Sequence, residues 1–275
     1  MIKDILVNLS VDGKRDAATD YAISVAAALN AHLAGVAFAY EPVVPGTIFE
    51  STSASIVASF RAESKKAAKA AAERFDESTS RSGISAESRV IGANIGGTAE
   101  IFGRLARRYD LSIVRQTDSS GGAEALILEA ALFESGRPLL VVPYIQTQGL
   151  KLDRALLCWD GSRHAARAFA DALPLLARAK NIDVITIATK EDNKGEISGT
   201  DMAHHLARHG LQVELKRIVA PDSDVANTIL SLAADTSADL IVMGGYGHSR
   251  LREFVLGGAT RGILASMTVP TLMSH

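Results

Sequence analysis

The residues best suited to ligand chemistry are concentrated between positions 239 and 260. An apolar run, Asp239-Leu240-Ile241-Val242-Met243, leads into Gly244-Gly245-Tyr246-Gly247; nine residues later come Gly257-Gly258-Ala259-Thr260 and a helical pattern. Glycines just past a strand and just before a helix let the backbone adopt positive φ and approach a ligand closely, with N–H groups turned outward as a nest for an anion. A helix beginning near Thr260 adds its unpaired N–H groups and the positive end of its dipole, so phosphate is the natural guest. A few charge-assisted hydrogen bonds of about 1.5–3 kcal/mol each approach the ~8 kcal/mol of a micromolar complex without any basic cluster. The better-known signatures do not fit. There is no Gly-x4-Gly-Lys-Ser/Thr, Arg250 stands where a dinucleotide fingerprint needs its third glycine, and Gly-x-Ser-x-Gly is missing.

Other candidates carry less. His205 and His209 are four apart in a helical run beside His204, so two imidazoles could share a face and hold a metal. With no His-Glu-x-x-His arrangement and no third ligand, a solvated helix face is expected. The single cysteine, Cys158, lies in an apolar run with no activating partner and reads as a small buried residue. Asp160 precedes Gly161, a pairing that suits either a ligand contact or a turn that caps the next helix, and both roles can coexist.

The elements that must position these residues occur twice. Ile5-Leu6-Val7 and Ala155-Leu156-Leu157 each lead to an Asp-Gly and an Ala-rich helical run. Near the ends of the copies, Asp110 to Val114 parallels Asp239 to Met243, and Pro138 to Val142 parallels Pro270 to Met273. Short apolar runs alternating with helical patterns imply βαβ units and a mostly parallel sheet covered on both faces. In the second copy the expected strands are 154–159, 183–189, 213–219, 239–244 and 269–273. Ala165, Ala168, Phe169, Ala172 and Leu176 mark the buried stripe of its first helix, and Asp222 or Ser223 is a candidate cap for a helix through Ile229, Leu230 and Leu232. The domains expected are 1–146 and 151–275, joined by a polar linker at 145–150. The first carries an insertion near 42–82 whose helix would bury Phe60, Ala67, Ala71 and Phe75 on one face.

Composition bounds the partners. With 275 residues, 29 Lys+Arg against 31 Asp+Glu and a net charge of −2, the chain offers no global field for nucleic acid or an anionic membrane, so any anion site is local. The uncharged stretch Tyr21 to Tyr40 is broken by Asn30, His32 and Gly35 and fits a helix running into a strand better than a membrane span. A lone cysteine and the lack of a secretory start point to the cytoplasm.

Gly244-x2-Gly247-x9-Gly257, preceded by Asp239-Leu-Ile-Val-Met and followed by Thr260 and Val269-Pro270, resembles the nucleotide-binding motif of the universal stress protein family. Ala155-Leu-Leu-Cys-Trp-Asp-Gly-Ser resembles that family's first strand and loop. The resemblance covers both halves, with the full motif only in the second. It implies an α/β fold of two tandem open five-stranded parallel-sheet domains, Rossmann-like and of the adenine nucleotide alpha hydrolase type. It further implies a pseudo-dimer through the closing strands, which could extend to a homodimer. ATP, ADP or AMP, with or without Mg, would bind outside the carboxyl ends of the strands. Carried over by position, Asp160 would sit beside adenine or ribose and Thr189 beside adenine. Met243, Gly244 and Gly247 would flank ribose and phosphates, with His248 near phosphate, and Gly257, Gly258, Ala259 and Thr260 would hold the phosphate tail.

One departure is Gly258, where strong binders of the family place Ser or Thr; the lost hydroxyl bond corresponds to about tenfold in affinity. In the first half Arg115-Gln116-Thr117-Asp118 replaces Gly244 to Gly247, so that half is not expected to bind ATP. Its Ser119-Ser120-Gly121-Gly122 is similar to the serine-glycine loop of ATP pyrophosphatases but lacks the following Asp-Ser. The expected function is an adenine-nucleotide-binding stress or signalling protein. No general base, magnesium ligand or transition-state lysine is identifiable, so enzyme activity would amount at most to a slow ATPase. The alternatives are an interaction scaffold docking a partner through 42–82 and an ATP-using enzyme with substrate residues there.

Overall fold

The computed structural model describes residues 1–13, 15–43, 54–117, 122–188, 199–219, 225–246 and 258–275. The first half runs β1 (Asp4–Asn8), α1 (Ala17–Leu29), β2 (His32–Tyr40), α2 (Ala54–Ser82), β3 (Ala86–Ala93), α3 (Ile95–Ala106), β4 (Leu111–Arg115), α4 (Ala123–Glu134) and β5 (Leu139–Val142). The second runs β6 (Arg154–Cys158), α5 (Arg163–Leu176), β7 (Asn181–Ala188), α6 (Gly199–Arg208), β8 (Val213–Val219), α7 (Val225–Asp235), β9 (Leu240–Gly244), α8 (Ala259–Ser266) and β10 (Thr271–Ser274). Each expected strand of the second copy forms, with ends displaced by at most a few residues.

The strands join one sheet in the order β3-β2-β1-β4-β5-β10-β9-β6-β7-β8. All pairs within a half are parallel, while β5 and β10 pair antiparallel through Thr271↔Val141, Leu272↔Leu140 and Met273↔Leu139. The closing strands therefore meet, as expected, and the two halves share a sheet. Successive residues go to opposite faces. Ile5, Val7, Leu140, Val142, Ala155, Leu157 and Leu272 enter one core, whereas Leu6, Leu139, Val141, Leu156, Ile241 and Met273 enter the other.

The duplication extends to hydrogen bonds. Asp110 Oδ2 accepts from the amides of Lys3 and Asp4 at 2.8 and 3.1 Å, and Asp239 Oδ2 accepts from those of Asp153 and Arg154 at 2.8 and 3.0 Å. Each carboxylate staples the start of its half's first strand to the start of the fourth. Gly13 and Gly161, with φ of 74° and 75°, turn the chain after that first strand through the left-handed region that glycine tolerates.

Two expectations need correction. In α2 the buried face is Ala68, Ala71, Ala72 and Phe75; Phe60 is 49% exposed, because the first turns of the helix extend past the sheet it covers. Nor is 145–150 a free linker. The Leu150 amide donates to Ser24 Oγ at 2.7 Å, the Thr147 carbonyl accepts from Arg15 Nη2 at 3.1 Å, and a Cβ on Gly149 would come within 2.8 Å of Ser24. The connection is docked along α1. Residues 44–53 of the insertion, and the expected caps Asp222 and Ser223, lie outside the described residues.

Candidate functional site

The carboxyl ends of β6 and β9, neighbours in the sheet, open onto the starts of α5 and α8. Gly244 closes β9. A Cβ there would lie 2.7 Å from the Ala165 nitrogen and 2.9 Å from the His164 carbonyl carbon, so glycine is required for the strand to pass the first turn of α5. The backbone that this glycine lets close is that of α5. Gly245 similarly admits Leu132 of α4 from the other half, whose side chain would stand 3.1 Å from an added Cβ.

Beyond the strand, Tyr246 takes a positive φ of 52°, and its amide donates to Thr260 Oγ1 at 3.0 Å. Thr260 is buried, and its oxygen is committed to tying the strand end to the helix start. Gly258 occupies the N-cap of α8 at φ −48° and ψ 159°, an extended geometry open to any residue, and supplies no side-chain cap. The first-turn amides at Ala259 and Thr260 therefore begin a helix whose amino end is not served by its own cap side chain. The Met243 side chain is buried in the core.

Across the crevice, Asp160 is exposed, and its Oδ1 accepts from the Ser162 amide at 2.9 Å. The cap of α5 is Ser162, whose Oγ accepts from Ala165 N at 3.1 Å. Asp160 thus shapes the turn, and capping falls to its neighbour. Burial, helped by the Asp160 charge, pushes the Cys158 thiol far above its ordinary value, as suits an inert residue. His205 and His209 are both exposed, with rings edge-on at 4.9 Å, and no group of three metal-ligating side chains is found among the described residues. The structure brings Asp160, Met243, Gly244, Gly258, Ala259 and Thr260 to this end of the sheet. Thr189, Gly247, His248 and Gly257 lie outside the described residues.

The same place in the first half is built differently. Arg115 ends β4 as Gly244 ends β9. Its guanidinium meets Asp12 at 3.0 Å and both oxygens of Glu124, at 3.0 and 2.9 Å. Glu124 is the second residue of α4, the place Thr260 holds in α8. Burial opposes the Arg115 charge, but the bonds to Glu124 and Asp12 outweigh it and hold the guanidinium above its ordinary value.

Sequence reasoning overlooked the contacts between halves. Gln116 Nε2 donates to the carbonyls of Leu264 and Ala265 at the far end of α8, at 3.0 and 3.3 Å. Phe133 of α4 lies 5.0 Å from the Tyr246 ring and 4.9 Å, edge-on, from that of His275. No local pattern announces such contacts, because they exist only once β5 and β10 have paired. Among the described residues, no helix is long and apolar enough to cross a membrane.

The family model described as Universal stress protein family matches residues 151–275. A universal stress protein of Synechocystis sp. is 27% identical over 139 residues, which are 50% of this chain and 46% of that protein, so the match spans about half the length of that relative. Among solved structures, a universal stress protein from Archaeoglobus fulgidus DSM 4304 is similar with a TM-score of 0.71 at 14% identity, covering 98% of this chain and 96% of the other. A functionally unknown protein from Pseudomonas aeruginosa PAO1 gives 0.62 at 16% identity, covering 99% and 92%. At such identities the two structural likenesses speak for the fold alone.

Proposed function

From the match of residues 151–275 to the universal stress protein family model, we propose that the C-terminal half of this chain binds an adenine nucleotide. The nucleotide, ATP, ADP or AMP, with or without Mg, lies outside the carboxyl ends of β6 and β9. Its phosphates meet the amino end of α8, and its adenosine end lies toward Asp160 and Thr189. The observation that carries this reading is the uncapped start of α8 at Gly258, held beside the end of β9 by the Tyr246-to-Thr260 bond. A phosphate there accepts backbone N–H bonds already oriented and gains from the helix dipole. The ligand acts as a conformational signal in a cytoplasmic stress or signalling protein, with hydrolysis at most slow.

The reading is tested by calorimetric titration of ATP into the full chain and into Gly257→Val. We expect one site per chain and at least about a tenfold loss of affinity in the variant, a change of about 1.4 kcal/mol. No heat at millimolar ATP, or equal affinities, overturns it. The exposed Ile56 and Phe60 near the start of α2, 63% and 49% accessible, favour a second reading as an interaction scaffold. That reading gains if ATP gives no heat.

A further inference from the structure

Beside the candidate site lies a pair of histidines that the nucleotide reading does not use. His164, the second residue of α5, is 6% exposed and stacks on His275 with ring centroids 4.5 Å apart and planes 24° from parallel. Its Nε2 is 3.4 Å from Arg163 Nε, which can only donate, so Nε2 keeps its lone pair and Nδ1 carries the proton. That Nδ1 is buried without a partner among the described residues. His275 Nδ1 is 3.0 Å from the Gly245 carbonyl, which can only accept, so this nitrogen is a donor. The Gly245 amide in turn donates to the Ser274 carbonyl at 2.8 Å. Gly245 is therefore gripped through both of its peptide groups, immediately before Tyr246 reaches across to Thr260.

We propose that His164 and His275 are positioning residues for the candidate site, a stacked pair that fixes Gly245 and Tyr246 while His164 is neutral and releases them when His164 is protonated. The charged neighbours set the order of events. Arg163 on α5 touches His164, Asp160 lies on the loop after β6, and His275 stacks on it from the end of β10. Arg167 and Asp171 on α5 are paired at 2.8 Å, and Asp171 also accepts from Ser274 Oγ at 3.0 Å. From α4 the contact is the uncharged Phe133, which also meets the Tyr246 ring.

A proton on His164 sets an N–H against the Arg163 N–H beside it and puts a charge into a buried stack, so the pair separates. Burial, then His275 and Arg163, lower the His164 pKa from its ordinary 6.5 against a weaker pull from Asp160. With the native value depressed, the unfolded chain takes the proton first. The contribution to stability is full above pH 6.5 and is lost as pH falls through the native value.

The consequence for nucleotide affinity rests on the function proposed above; the latch itself does not. Histidine and amide NMR of the full chain without nucleotide, assigned with His164→Phe, tests the latch directly. We expect His164 to keep the neutral Nδ1–H pattern at pH 6.5, with a midpoint below that ordinary imidazole value. The Gly245 and Tyr246 amides should shift with the His164 midpoint, and this movement should vanish in His164→Phe. If His164 titrates at or above the ordinary 6.5, or those amides stay still while it titrates, the proposal is overturned.

ATP titrations at pH 7.5 and 5.0 supply the second test, since the ligand's own protonation is common to all proteins compared. The ratio of affinities should be about tenfold in the parent and under about twofold in His164→Phe. Equal ratios overturn the proposal. If ATP fails to bind at either pH the nucleotide reading falls, and the amide shifts alone decide the latch.

Discussion

The N-terminal half ends β4 with Arg115, and the C-terminal half ends β9 with Gly244. In the first, the guanidinium lies between Asp12 and Glu124, so the chain itself supplies both the charge above the strand and the carboxylate in the first turn of α4. In the second, the corresponding helix has no acidic residue in its first turn, while both helices start on a glycine that supplies no side-chain cap. One frame can thus end its fourth strand on an internal ion-pair network or on a glycine packed against the next helix. The choice turns on a few residues at the strand end and helix start, while the sheet beneath is the same.

The contrast is broken most severely at Gly244. Gly244→Ala drives a Cβ into the backbone of α5 and should lower stability by about 2 kcal/mol, whereas Arg115→Ala, which removes a partly exposed ion-pair network, should cost about 1 kcal/mol or less. Urea denaturation of both variants measures this; equal losses would mean that the two strand ends are not packed differently.

Gly258→Ser sharpens the contrast in the other direction. Its backbone geometry accepts serine without strain, so the variant should gain a few tenths of a kcal/mol from helix capping and about tenfold in ATP affinity through one added hydroxyl bond. Thermal denaturation and calorimetry read the two effects separately, and an unchanged or weaker affinity would place the phosphates elsewhere.

A third effect is expected at Gln116, the counterpart of Gly245. Gln116→Ala leaves the Leu264 and Ala265 carbonyls without its amide and should cost about 1 kcal/mol by urea denaturation. A neutral result would mean that this contact adds nothing to what the strand seam and the Leu132 and Phe133 contacts supply.

Much of the frame was legible because its signals are local. Alternation of apolar runs and Ala-rich helical stripes placed the strands of the second half, and the repeated Asp-Gly announced the duplication. Phe60 misled because helical periodicity continues along α2 after the sheet it covers has ended. Gly244 is ambiguous for another reason: close backbone approach explains a glycine whether the approaching group is a ligand or a neighbouring helix. The Asp160 alternative is narrowed, since Ser162, two residues on, is the cap. Gln116, His164 and His275 had no signal to offer. Their contacts join residues far apart in sequence, at a junction that no single element specifies.

The antiparallel pairing of β5 with β10 has a consequence for concentration. Partners joined by a peptide connection meet at an effective concentration set by the linker, which for short linkers reaches roughly millimolar. Here that connection is itself docked on α1. Dilution that would dissociate a pair of separate subunits leaves this seam closed, so Leu132, Phe133 and Gln116 accompany the C-terminal crevice at any protein concentration. The edge spent inside the molecule is also no longer available for recruiting a second copy, which must find another surface.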